Sequence, residues 1–177
     1  MSSRNKKIIL TVILLVTAVV LAYSFYHTPP PLEVDVNASE IAPNEVLGMK
    51  KIVVSSGVEA LQRVKQSHTG SIEQVKDVAI VHYIKKDKFL TLWTTLYPNE
   101  TIASRETEKM VTGMRKWGGS WASELKEVPI AKKKVYQTSS NNVSHYFWAD
   151  REWVFYIIPH NFSQDEIAGI IDAIPGK

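Results

Sequence analysis

The sequence predicts an α+β fold: an N-terminal transmembrane helix followed by a mainly antiparallel sheet with helices packed on one face. Three observations carry this. Residues 8–26 read IILTVILLVTAVVLAYSFY, with no charge in 19 positions. Two pairs of β-branched and aromatic segments, 78–84 with 89–97 and 145–148 with 153–158, are each joined by a short charged turn, the pattern of antiparallel hairpins. Between and after them lie segments whose apolar residues recur at helical spacing, among them 98–117 and 163–174.

As a helix rising about 1.5 Å per residue, the apolar run spans roughly 28 Å, close to the ~30 Å hydrocarbon core of a bilayer. Tyr23, Phe25 and Tyr26 cluster at its far end, where an interfacial aromatic belt belongs. Arg4, Lys6 and Lys7 precede it, and no Lys or Arg follows until Lys50. The positive-inside bias therefore predicts a cytoplasmic N-terminus at 1–7, a single-pass membrane helix at 8–26 and an extracytoplasmic domain at 32–177. A cleaved signal peptide is the rival, with Val20 and Ala22 before a cut at Tyr23. The length of the run and the lack of a polar stretch before that cut favour the anchor.

The prolines at 29–31 stop the helix and favour an extended spacer over 27–31. Leu32, Val34 and Val36 suggest a strand, and residues 52–54 another. Ser56 with Glu59 reads as a capping box opening a helix with Val58, Leu61 and Val64 on one face, closed by Gly70. After the first hairpin, the helix to Trp117 carries Ile102, Met110, Val111, Met114 and Trp117 along one side, and Gly118-Gly119 stops it. Strands are expected near 125–128 and 134–138, then the second hairpin, ended by Pro159. Ser163 with Glu166 is a second capping box, and its helix presents Ile167, Ile170, Ile171 and Ile174 inward.

Several segments together resemble a known group. Residues 59–64 lead to Ser67-His68-Thr69-Gly70; His145-Tyr146-Phe147-Trp148 is followed by residues 153–158 and the capped helix 163–174. These resemble uncharacterised membrane-anchored extracytoplasmic proteins, mostly archaeal. The hairpin with its C-terminal helix is also similar to the end of bacterial domains related to anti-sigma regulators. The resemblance covers residues 45–175, rests on structural motifs, and implies no activity and no functional residue.

Composition removes several function classes. There is no cysteine, which excludes disulfide scaffolds, thiol nucleophiles and zinc ribbons. The formal charge of +3 comes from the three basic residues before the apolar run; the other 18 basic residues balance 18 acidic ones. A neutral body lacks the basic footprint of a nucleic-acid binder. None of His27, His68, His82, His145 and His160 forms an HxxxH pair, and no G-x-S-x-G elbow or phosphate-binding glycine loop is present. No cofactor or metal is expected. Lys132-Lys133-Lys134 reads as a charged hairpin turn, with contact to anionic headgroups as the sharper idea. Asn37, Asn99, Asn142 and Asn161 stand in N-x-S/T triplets, four of the seven asparagines. Glycosylation and ordinary capping both account for them, Asn99 and Asn161 standing just before predicted helices.

Strand alternation makes both faces of the 145–158 hairpin apolar. One face meets the helices, and the other needs cover from segment 32–54, a partner chain, a ligand or the bilayer. Tyr146, Trp148, Trp153 and Tyr156 are therefore the candidate ligand or partner surface. The function expected is a non-enzymatic, membrane-tethered binding, sensing or assembly module. It is held to the lipid bilayer through 8–26 and works with a membrane-protein partner or a second copy. The rival is an envelope hydrolase or lipid-handling protein with a site built from scattered residues such as His82, His145 and Asp150.

Overall fold

The computed structural model describes residues 37–67 and 72–174. The apolar run at 8–26, the spacer at 27–31, the strand expected at 32–36 and the glycine cap at 70 lie outside them. No helix among the described residues is long and apolar enough to cross a membrane. Helix α1 (Ala38–Ile41) is capped by the Asn37 side chain, which accepts from the Ser39 N–H. Strands β1 (Glu45–Val46) and β2 (Met49–Ser56) follow. Their two-residue turn, Leu47-Gly48, has φ of 49° and 74°. Positive φ at both positions matches the right-handed twist of the strands it joins.

Helix α2 (Gly57–Ser67) starts where β2 stops, with Gly57 turning the chain at φ 61°. The Ser56–Glu59 box does not open it. Ser56 is the last strand residue, opposite Ala79, and the Glu59 carboxylate turns forward to Arg63 at 2.8 Å. The hairpin of β3 (Asp77–Lys85) and β4 (Lys88–Leu96) comes next, turning at Lys86-Asp87. Helix α3 (Glu100–Trp117) is capped by Asn99, whose side chain accepts from Ile102 N–H. A short helix, α4 (Ser120–Ser123), was not legible in the sequence. Then come β5 (Lys126–Ile130), β6 (Lys133–Ser140), β7 (Val143–Asp150) and β8 (Trp153–His160). The chain closes with α5 (Gln164–Ala173), opened by the reciprocal Ser163–Glu166 box.

The strands form one antiparallel sheet in the order β1-β2-β3-β4-β8-β7-β6-β5. Two four-stranded meanders thus meet along β4 and β8, with Leu92 opposite Ile157 and Trp93 opposite Tyr156. Pro159 does not end β8. It pairs with Leu90, and pairing with β7 runs only as far as Ile157. The last turn of β8 therefore has one partner strand, an edge-like setting that tolerates a missing N–H.

Helices cover both faces, which corrects the expectation of one. On one face, Leu90, Leu92, Tyr146, Trp148, Phe155 and Ile157 pack with Ala38 and Ile41 of α1. Ile167, Ile170 and Ile171 of α5, with Ile174, close the same layer. On the other, Val78 and Ile80 meet Ala60 and Val64 of α2, while Phe147 and Tyr136 meet Val111 of α3. The cause is in the strands: alternate residues are apolar on both sides, so each side must be taken from water. Each buried isoleucine of α5 contributes about 1.5–3 kcal/mol.

Polar contacts fix the covering elements. The buried Asp77 carboxylate accepts the Ala38 N–H at 2.6 Å, and Thr94 Oγ1 donates to the Ala38 carbonyl at 2.7 Å. Lys133 Nζ donates to the carbonyls of Ile171 and Ile174, at 2.9 and 2.6 Å, which satisfies the C-terminal end of α5.

Candidate functional site

Helix α2 rests on β2 and β3, and α3 rests on β7 and β8. A strip of sheet lies uncovered between them, and over it opens a cavity of about 290 Å³. Trp93 and Thr95 of β4 with Val154 and Tyr156 of β8 line its floor. Leu61 and Val64 of α2 line one wall. The other wall is a stripe of α3 at helical spacing: Glu106, Met110, Gly113, Met114 and Trp117, with Lys109 beside Glu106.

Gly113 matters to this wall. A Cβ built there meets nothing within 4 Å, so the glycine is not required by close packing. A helix-interior glycine costs about 1 kcal/mol relative to alanine, and the space it leaves belongs to the groove. Trp117, at the end of the stripe, is 69 % exposed with the Lys116 ammonium 4.7 Å from its ring centroid.

The floor continues into an aromatic stack. Tyr156 lies against Trp93 at 5.4 Å and Phe147 at 5.9 Å. Its hydroxyl and His145 Nδ1 share a hydrogen bond of 2.9 Å, and Trp121 packs over the imidazole at 4.7 Å. Burial, with a smaller contribution from His160, lowers the His145 pKa from 6.5 to about 4, so the ring is neutral near pH 7. Burial likewise raises the Tyr156 and Tyr97 phenols, Tyr97 with help from the Glu106 charge.

The residues singled out from the sequence fall elsewhere, with one exception. Tyr146, Trp148 and Trp153 are 0, 0 and 3 % exposed, inside the core that α1 and α5 cover. The face of the hairpin that needed cover is thus closed by the chain itself, partly by residues 38–49 and partly by the C-terminal helix. Tyr156 alone reaches the groove. His82, His145 and Asp150 do not converge. His82 packs on Phe89 at 4.7 Å, and His160 lies on the far side of that ring at 5.8 Å. Asp150 is on the same strand as His145 at odd spacing, so it faces the other way, 3.9 Å from Lys133. Among the described residues no group of three His, Asp or Glu side chains could hold a metal ion.

Two of the three clustered lysines are engaged internally, and Lys132 is exposed in the turn between β5 and β6. Lys134 pairs with Glu108 at 3.1 Å and Glu127 at 3.3 Å, and Lys133 caps α5. All four sequon asparagines are exposed. Asn37 and Asn99 cap helices, and Asn161 Nδ2 donates to the Asp87 carbonyl at 2.6 Å. Asn142 lies in the two-residue turn between β6 and β7.

The groove escaped the sequence reading because it is a gap between two helices, and a gap has no motif. Met110, Met114 and Trp117 read equally well as a core stripe. The glycine between the two methionines was the one available signal. Comparison of the chain with protein-family models and with curated proteins found no match.

Proposed function

We propose that this chain is a membrane-tethered, extracytoplasmic binding module whose ligand is a small apolar molecule seated between α2 and α3. The observation that carries the reading is the groove itself: about 290 Å³, near the lower end of ligand pockets, walled by Leu61, Val64, Met110 and Met114 on a floor of Trp93 and Tyr156. Methionine and tryptophan suit such a site, because the one adapts its shape and the other offers a large flat face. The tether is the apolar run 8–26, with the basic residues before it holding the N-terminus in the cytoplasm. The resemblance to membrane-anchored extracytoplasmic proteins agrees with that placement. Lipid handling stays within this reading, since a groove for an apolar chain is what it needs. Hydrolysis gains no support, because His82, His145 and Asp150 stand apart.

The test is equilibrium binding of the uncharged dye N-phenyl-1-naphthylamine to the full chain in a maltoside detergent, read by energy transfer from tryptophan. The wild type is expected to bind it, and Gly113→Trp, which fills the groove from an open position, is expected to abolish saturable binding. Equal saturable binding by both would refute the groove as the site.

A further inference from the structure

We propose that the ligand carries one positive charge: an ammonium head held against Glu106, on a single apolar chain lying along α3 toward Trp117. This rests on the groove being the ligand site and adds the chemistry of the head group.

Glu106 is the one acid and Lys109 the one base among the described residues that line the groove. The Glu106 side chain is only 9 % exposed. Its cationic neighbours are distant for a carboxylate so far removed from water: Lys109 at 3.4 Å and Arg105 at 3.8 Å. Charge-assisted pairs close to about 2.7–2.9 Å. Both neighbours reach in from solvent, with side chains 46 and 59 % exposed. Arg105 is further committed to Gln74 Oε1 at 2.9 Å, on the segment leading into β3. A buried carboxylate with loosely held surface partners is stabilised by a closer cation.

The remaining lining favours the same sign. Tyr156 is stacked between Trp93 and Phe147, so the aromatic lining open to a cation is that of Trp93 and Tyr97, whose ring quadrupoles attract one most strongly out of water. An anionic head has Lys109 in its favour, but that ammonium is already turned to Glu106, and the Glu106 charge and the aromatic lining both oppose an anion. The stripe supplies the direction. Glu106 and Trp117 are eleven positions apart on α3, about 16 Å along the axis. Met110, Gly113 and Met114 lie between them, so the charged head and the apolar tail each have a lining suited to it. The volume fits one chain rather than two.

Three short probes that share one tail separate the possibilities: hexyltrimethylammonium, hexyl sulfate and hexanol. Each is titrated as a competitor of N-phenyl-1-naphthylamine on the full chain in maltoside detergent, with Gly113→Trp as background. The ammonium is expected to compete best. Glu106→Gln is expected to weaken it about tenfold and to leave hexanol unchanged. Hexyl sulfate competing as well as the ammonium would overturn the proposal, and so would a Glu106→Gln variant that preserves the wild-type ranking. The wild-type ranking needs no variant, so it decides even if Glu106→Gln fails to fold. Failure of all three to compete in the wild type would refute the groove reading itself.

Discussion

Replacing His145 by glutamine should remove a large histidine contribution to the acid sensitivity of the fold. The imidazole is 9 % exposed, beneath Trp121 and bonded to the Tyr156 hydroxyl. Its pKa is about 4 in the fold, against 6.5 for an ordinary histidine. Between those values the unfolded chain holds a proton that the folded chain refuses. Stability is therefore whole above pH 6.5 and falls as the pH drops toward 4. At about 1.4 kcal/mol for each pH unit, the gap amounts to about 3 kcal/mol. Carboxylates held low by their partners, such as Glu108 beneath Tyr136 and Lys134, weaken the fold over an overlapping range. The difference between wild type and His145→Gln isolates the histidine. Urea unfolding followed by tryptophan fluorescence at pH 4, 5, 6 and 7 measures it. The wild type should lose about 3 kcal/mol relative to the variant across that series. A difference flat to within about 1 kcal/mol would show that His145 is not held neutral by burial, and the reasoning would fail.

Three further substitutions probe the fold away from the groove. Leu47 sits at φ 49° before Gly48, so Leu47→Asn makes the Asn-Gly turn that this hairpin prefers; urea unfolding should register a gain of about 0.5–1 kcal/mol, and a loss would contradict the turn geometry. The Tyr146 hydroxyl is buried without a hydrogen-bond partner, so Tyr146→Phe should raise the unfolding midpoint by about 1–2 kcal/mol equivalent, and a drop of that size would mean that the hydroxyl is satisfied. Asp77→Ala removes the carboxylate that accepts from Ala38 and should cost about 2 kcal/mol, with hydrogen exchange rising first in α1; unchanged protection there would refute its capping role.

Local chemistry made much of the fold legible, and tertiary placement hid the rest. The hairpins at 77–96 and 143–160 announced themselves through alternating β-branched and aromatic residues around short polar turns. Asn99 and Ser163 marked helix starts because a side-chain oxygen beside free N–H groups has few other uses. Ser56 and Glu59 carried the same signal and misled, since β2 runs straight into α2 and Glu59 reaches Arg63 instead. Pro159 misled because the rule against proline in strands is a rule about two-sided pairing, which has stopped by that point. The two apolar faces of β7 and β8 were visible from alternation. Which helix covers each face was not, because α3 and α5 carry similar apolar stripes. Hence Tyr146, Trp148 and Trp153, which looked like an exposed surface, are core beneath α5. The groove depends on how far α2 stands from α3, a distance written in no local pattern.

The chain has no cysteine, so one introduced thiol reports its own surroundings without interference. Gly113→Cys places that thiol on the groove wall, and Thr112→Cys places it on the exposed side of the same helix. The most direct measurement is the rate of thiol alkylation in each variant with and without saturating hexyltrimethylammonium. Slowed reaction at 113 with an unchanged rate at 112 is the predicted result. Equal rates at 113 in the presence and absence of the probe would contradict a ligand seated between α2 and α3.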